Sequence, residues 1–166
     1  MYTLTAAKTA LNIISGLKQG GSSGTVKRYL ALYADIPSTE LDKVINIEPA
    51  YDPGTVYEPQ GYGYKRALLT TATNGTENLS FFAEPTRVEG TNEVVLKNKG
   101  EIHFDEVTTG GNWGTCTHFG IYDKDVGGTL LYIGKLVNSI SPTENNVPII
   151  KPDGLIITLK GSVDEA

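Results

Sequence analysis

The feature that most constrains the fold is a regular alternation of short β-prone runs and turns in the C-terminal part of the chain. Residues 117–122 and 155–159 are rich in β-branched and aromatic side chains, which favour strands. Turn residues separate such runs at 123–128 and at Pro152-Asp153-Gly154, where proline presets φ and glycine accepts positive φ. Strands that recur about every ten residues are typical of an antiparallel sandwich.

Shorter runs extend this pattern towards the N-terminus. The sequence predicts further strands at 26–33, 65–71, 79–83, 93–97, 100–104, 129–136 and 147–150, with a turn at 74–78. Glu101-Ile102-His103-Phe104 alternates polar and apolar residues, as a half-buried strand does. The 19 glycines supply many turns, and the excess of 9 tyrosines over 4 phenylalanines suits short strands. We expect a mainly β chain that forms an antiparallel, jelly-roll-like β-sandwich.

One α-helix is predicted at the N-terminus, over residues 5–18. Apolar residues recur there at three- and four-residue spacing, and Leu11 and Ile14 lie on the apolar face. A helix this short needs a packing partner, either its own domain or a neighbouring subunit. The Gly/Ser-rich stretch 20–24 is typical of a hinge. We therefore divide the chain into an arm (1–24) and a β-sandwich domain (25–166), with Leu11 and Ile14 as candidate protein contacts.

The segment 34–63 is rich in proline and glycine, and we expect a long loop there. Connections of this length are usually functional or held by a partner. Four tyrosines lie in or beside this segment, namely Tyr51, Tyr57, Tyr62 and Tyr64. Tyrosines on loops are good contact residues at interfaces, but they also fold back over a core. Both roles are open, and the four are candidate protein-contact residues.

Charge and composition exclude several classes of partner. The net charge is −5, from 14 basic and 19 acidic residues without a Lys/Arg cluster, so we expect no nucleic acid partner. The sequence lacks an apolar run of about 18 residues, so we expect no membrane partner. The N-terminus lacks the basic start and apolar stretch of a signal peptide, so we expect synthesis in a cytoplasm. Cys116 is the single cysteine, which excludes an internal disulfide and a cysteine-based zinc site.

Three short motifs suggest chemistry, and each has a structural interpretation that we prefer. Cys116 and His118 are two residues apart on a predicted strand, but neither an oxyanion site nor a distant base is recognisable. The stretch 123–128 begins like a calcium loop, yet the position that needs glutamate is Gly134, so we predict a hairpin turn. We expect His103 and His118 to be hydrogen-bonded structural histidines. We therefore predict no catalytic, metal-binding or cofactor-binding residue.

An ordered series of motifs carries a family resemblance. It comprises Ile102-His103-Phe104, Asn112-Trp113-Gly114, Thr117-His118-Phe119-Gly120-Ile121-Tyr122-Asp123, Gly127-Gly128-Thr129-Leu130-Leu131 and Gly134-Lys135-Leu136. A second patch, earlier in the chain, is Glu58-Pro59-Gln60-Gly61-Tyr62-Gly63-Tyr64-Lys65-Arg66. Together these segments resemble a family of small virion proteins of tailed phages, often labelled tail fibre or minor structural proteins. The chain departs from that family in a longer loop at 34–57 and an insertion-like stretch at 77–95, which leaves the attachment point open.

The resemblance implies a non-enzymatic structural component of a tailed-bacteriophage virion. The expected placement is a fibre or adaptor protein associated with the tail or baseplate, and the alternative is a capsid decoration protein. Its partners would be other virion proteins and further copies of itself, in the virion, after synthesis in a host bacterial cytoplasm. A hypothesis from another class is a carbohydrate-binding module, in which Tyr51, Tyr57, Tyr62 and Tyr64 would form an aromatic platform for a host glycan.

Overall fold

The computed structural model of the chain describes residues 8, 10, 11, 14, 27–46, 52–73, 77–80, 82–83 and 85–160. Lys8, Ala10, Leu11 and Ile14 are helical, in agreement with the predicted N-terminal helix. The predicted hinge at 20–24, and with it the proposed domain boundary, lies outside the described residues.

Short strands dominate the described part of the chain. They are β1 (Tyr29–Ala34), β2 (Ala67–Leu68), β3 (Thr70–Thr73), β4 (Glu77–Ser80), β5 (Thr86–Arg87), β6 (Glu93–Lys97), β7 (Ile102–His103), β8 (Cys116–Tyr122), β9 (Leu130–Ile140), β10 (Ile149–Ile150) and β11 (Ile156–Lys160). Two helices, α1 (Ser38–Asn46) and α2 (Gly54–Tyr57), follow β1. The predicted β elements recur at or near their predicted positions, although the run at 65–71 is divided between β2 and β3.

The strands pair in antiparallel fashion throughout. A four-stranded sheet has the order β2-β1-β8-β9, and a three-stranded sheet has the order β11-β6-β5. Two separate pairs, β10-β7 and β3-β4, complete the described strands. The prediction of a mainly β, antiparallel chain is confirmed.

The main core lies between the two larger sheets. It combines side chains of the four-stranded sheet, such as Leu32 and Phe119, with Leu96 and Ile157 of the three-stranded sheet. All four of these residues are fully buried. The two sheets also meet through Thr158, whose backbone N–H donates to the Tyr132 hydroxyl at 3.3 Å. Because the sheets bury their facing sides against each other, the arrangement is sandwich-like.

Strand β1 is buried on both faces, because both faces carry apolar side chains. Leu30 and Leu32 enter the main core, whereas Ala31 and Tyr33 enter a second, smaller cluster on the opposite face. That smaller cluster also contains Tyr122 and is covered by residues from α1 and α2. Because β1 is covered on this face as well, α1 and α2 form a further layer over Tyr33.

The prediction of a long loop at 34–63 is wrong, because α1 and α2 lie within it. Pro37 and Pro53 stand immediately before these helices, and their carbonyls accept the first helical hydrogen bonds. Proline is tolerated at a helix start, where its missing N–H would lack an intrahelical partner in any case. The prolines therefore mark helix starts here, and the fold contains more helix than the predicted single N-terminal one.

Candidate functional site

A sharp turn after α2 is the first element of the site. Gly61, Tyr62 and Gly63 have φ values of 74°, 50° and 79°, three successive residues in the left-handed region. Glycine adopts this conformation readily, which explains the Gly-x-Gly spacing. At Gly63 a Cβ atom would also lie 2.6 Å from the Glu106 carbonyl oxygen. The spacing is therefore a backbone requirement of the turn.

Tyr62 is the non-glycine residue of this turn, and its backbone is held from two sides. Its carbonyl accepts hydrogen bonds from Thr108 N and Trp113 Nε1, each at 3.1 Å. Its ring lies against Gly111, where no room remains for a Cβ atom, and the side chain is 50% exposed. These contacts hold a backbone conformation that is unfavourable for tyrosine.

Beneath the turn lies a small aromatic cluster around Trp113. The indole is 3% exposed and meets Tyr64 and Phe104 edge to face, at centroid distances of 5.0 and 6.1 Å. Edge-to-face geometry suits the quadrupoles of aromatic rings. Trp113 is therefore a core residue.

The turn brings Glu58 and Arg66 into a buried, bidentate ion pair. Arg66 Nε and Nη2 donate to Glu58 Oε1 and Oε2, both at 2.8 Å. The two side chains are only 6% (Arg66) and 9% (Glu58) exposed. Tyr64 donates its hydroxyl to Glu58 Oε1 at 2.8 Å and accepts from Leu32 N at 3.0 Å. Burial, followed by the Glu58 charge, raises the pKa of Tyr64 above its ordinary value.

The remaining nitrogen of Arg66 binds the hairpin between β8 and β9. Nη1 donates to the carbonyls of Lys124 and Gly127, at 2.9 and 2.7 Å. Asp123 Oδ1 accepts from Thr129 N at 2.6 Å and closes the same turn. The guanidinium therefore holds this turn through two of its carbonyls, and the predicted hairpin turn is confirmed.

Tyr122 links the arginine to α2. The Arg66 Cζ atom lies 3.6 Å from the centroid of the Tyr122 ring. The Tyr122 hydroxyl donates to Asp52 Oδ1 and lies 2.6 Å from the Tyr33 hydroxyl. Burial, the Tyr33 hydroxyl and the hydrogen bond to Asp52 raise the pKa of Tyr122, so it remains a protonated donor. We call Asp52, Glu58, Tyr64, Arg66 and Tyr122 the Arg66 network.

An open cavity of about 670 Å³ lies beside this network. Its walls come from the N-terminal end of β1, from α2, from the segment of Glu58 to Arg66 and from the β8–β9 hairpin. We call it the Asp52 cavity. Its size falls in the range of ligand-binding sites, and its walls are held by the Arg66 network.

Cys116 and His118 do not form a nucleophile and base pair in the described structure. Burial, and then the charge of Asp35, raises the pKa of Cys116 to about 12, so the thiol stays protonated at neutral pH. The His118 Nδ1 atom instead lies 2.8 Å from Thr117 Oγ1. His103 pairs with Glu101 on the surface, at 3.0 Å. The described residues contain no group of three or more side chains suited to a metal ion.

The predicted contact residues are dispersed in the structure. Leu11 is fully buried in the main core, and Ile14 packs against that core. Tyr57 packs on the smaller cluster and Tyr62 on Gly111, while Tyr51 lies outside the described residues. The described tyrosines therefore do not form one aromatic platform. Their roles as protein contacts stay predictions.

Sequence reasoning missed Asp52, Tyr33 and Tyr122 as members of one site, because these residues come from separate segments. The sequence did carry one local signal for this site. An acid and a base eight residues apart flank a Gly-x-Gly turn, which is compatible with an ion pair closed across that turn.

Within the described residues, no helix is long and apolar enough to span a membrane.

Comparison with known proteins identifies the family. A family model described as "Podophage GP4 fiber I protein gp80" matches residues 27–158, well over half of the 166-residue chain. No curated protein matches the chain. The matched region includes both larger sheets except the last two residues of β11, together with the Arg66 network and the Asp52 cavity, and it confirms the predicted resemblance to tailed-phage structural proteins. The chain therefore belongs to the family of the podophage GP4 fiber I protein gp80, a family of phage structural fibre proteins.

Proposed function

We propose that the protein is a non-enzymatic fibre or adaptor protein of a tailed-phage particle, attached at the tail or baseplate. The observation that carries the proposal is the family match over residues 27–158, because that family is one of structural fibre proteins. The high pKa of the Cys116 thiol supports a role without nucleophilic catalysis. Other virion proteins are its proposed partners.

Hydrogen bonds between distant segments of the β domain support a structural role. Arg66 connects the turn after α2 to the β8–β9 hairpin, and Tyr122 connects β8 to Asp52. These bonds join segments that are distant in sequence, and the members of the network are largely buried. Such cross-links between segments suit a protein that has to hold a defined geometry in an assembly.

The attachment surface is proposed to include the exposed side of the N-terminal arm, where Lys8 lies, because Leu11 and Ile14 pack on the main core. The family match begins at residue 27, close to the predicted boundary at residue 24, so the arm lies before the matched region. Copies of the chain are proposed to associate with one another, because closed symmetric oligomers are the common form of such assemblies. Native mass spectrometry of the purified protein measures this, and a monomer at micromolar concentration would argue against self-association.

The position in the particle is tested by imaging. We expect antibody-gold labelling of intact particles to mark the tail end, and quantitative mass spectrometry to give a copy number that matches tail symmetry. Labelling spread over the head, with a copy number that matches capsid positions, would instead support a decoration protein. A major tail protein of known copy number in the same particles serves as the internal standard.

A further inference from the structure

The chemistry of the Asp52 cavity is set by which of its polar groups are already bound. Arg66 is engaged by Glu58 and by two hairpin carbonyls, and Glu58 is engaged by Arg66 and Tyr64. Lys65 is 78% exposed and lies 3.6 Å from Asp105. Arg66 therefore has its donors occupied, and the exposed Lys65 lies beside one acid while Asp125 adds another to the lining, which makes the cavity less suited to phosphate or another anion.

The groups that remain are mainly hydrogen-bond acceptors. Asp52 Oδ1 accepts from Gly54 N and from the Tyr122 hydroxyl, whereas Asp52 Oδ2 has no partner among the described residues. Asp125 uses Oδ1 for its own turn, at 3.0 Å from Val126 N. Gln60 also lines the cavity, and its Nε2 donates to the Glu58 carbonyl at 3.3 Å, so its amide oxygen remains as an acceptor. Such a wall needs a ligand that brings several donors.

An aromatic side chain completes the cavity. Tyr29, the first residue of β1, is partly exposed and lines the cavity together with Pro59. Flat aromatic and proline surfaces pack on the C–H faces of a sugar ring, while carboxylates accept hydrogen bonds from its hydroxyls. A volume of about 670 Å³ accommodates one or two sugar rings.

We propose that the Asp52 cavity binds a short neutral saccharide, with Asp52 and Asp125 accepting from ring hydroxyls and Tyr29 packing on the ring face. The site differs from the platform predicted from the sequence. Tyr62 packs on Gly111 and does not line the cavity, and the Tyr64 hydroxyl is already bonded to Glu58. The inference does not depend on where the protein sits in the particle, because binding is measured on the isolated chain.

Asp52→Asn is the most informative variant. The asparagine carbonyl oxygen can keep the bonds from Gly54 N and Tyr122, while the free acceptor Oδ2 becomes an amide donor. The fold is retained and the saccharide loses an acceptor. Asp125→Asn tests the opposite wall, where the side chain is exposed. Asp153→Asn is the matched control, because Asp153 is an exposed turn residue outside the Asp52 cavity.

The experiment is saturation-transfer NMR on the purified full chain, with glucose, galactose, mannose, N-acetylglucosamine and N-acetylgalactosamine as probes. We expect at least one of them to bind with a Kd of about a millimolar, as isolated sugars often do. Binding should weaken about tenfold in Asp52→Asn and in Asp125→Asn, and stay unchanged in Asp153→Asn. A folded Asp52→Asn protein is confirmed by its unchanged amide NMR spectrum.

Three results would overturn the inference. One is the absence of binding by all five sugars, and another is binding that survives both cavity variants. The third is binding of inorganic phosphate or N-acetyl-lysine methylamide in place of sugars. Preference for the lysine derivative would show instead that the cavity receives a basic side chain of a protein partner.

Discussion

The two faces of β1 are stabilised in different ways. On one face Leu30 and Leu32 enter an apolar core that the sheets share. On the other face, which we call the polar face, the smaller cluster contains Tyr33 and Tyr122, and their hydroxyls continue the Arg66 network by hydrogen bonds to Asp52. Apolar contacts are non-directional and tolerate replacement by another side chain of similar volume. Buried polar groups depend on their particular partners, because an unpaired one is costly. The polar face should therefore be the less tolerant of the two.

The largest expected effect tests this difference at Arg66. Arg66→Met leaves Glu58 buried without its cation, and we expect a loss of about 3–5 kcal/mol in the free energy of unfolding. Urea denaturation followed by circular dichroism measures it. Lys65→Met is the matched control, because Lys65 is 78% exposed, and it should change the free energy by less than about 0.5 kcal/mol.

A double variant separates the ion pair from simple packing. Glu58→Gln combined with Arg66→Met removes both charges, so the double variant should be more stable than the sum of the single changes predicts. Strictly additive losses would show that the two side chains act independently, and the contrast between the faces of β1 would then lose its electrostatic basis.

The sequence predicted the apolar face much better than the polar one. Alternating apolar residues and β-branched runs locate strands such as β6, where Val94 and Leu96 are buried at alternate positions. Ion pairs and hydrogen bonds between distant segments leave no such periodic trace. Asp52 and Tyr122 are 70 residues apart, and nothing in either local sequence predicts their contact. The helices α1 and α2 were missed for a different reason, since proline is common both in loops and at helix starts.

A pair of glycines tests how tightly the polar face constrains the backbone. Gly61 and Gly63 both have positive φ, but a Cβ atom meets nothing within 4 Å at Gly61 and meets the Glu106 carbonyl at Gly63. Gly61→Ala should cost about 1–2 kcal/mol for the backbone alone. Gly63→Ala should cost about 1–3 kcal/mol more, because the carbonyl also has to move. Thermal and urea unfolding of both variants give the difference, and equal losses would contradict the close approach at Gly63.

Conservative substitutions sharpen the comparison further. Arg66→Lys keeps the charge but cannot donate to two carboxylate oxygens and two carbonyls at once, so we expect a loss of about 2 kcal/mol. Leu96→Met keeps the apolar volume in the main core and should cost less than about 1.5 kcal/mol. Urea midpoints of the two variants rank them. If Leu96→Met is the more damaging, the apolar face is the more specifically packed of the two.

The smallest expected effect is a pH dependence at the middle of the four-stranded sheet. His118 on β8 faces Lys135 on β9 in the strand register, and burial, followed by the charge of Lys135, lowers its pKa below the ordinary 6.5. The unfolded chain therefore binds a proton at a higher pH than the folded chain does. By linkage, this group destabilises the fold as pH falls through about 6.5, and the loss stops growing below the folded pKa. Above about pH 7.5 the histidine is neutral in both states and contributes no slope.

His118→Gln removes this contribution and keeps a polar side chain. The difference in free energy of unfolding between the original chain and the variant should be constant above about pH 7.5 and shift against the original chain below about pH 6.5. His103→Gln is the control on the exposed pair with Glu101. Urea titrations across this range measure both differences. A difference that does not vary with pH for His118→Gln would mean that the sheet accommodates the imidazolium. Burial and the charge of Lys135 would then not disfavour the charged form of His118.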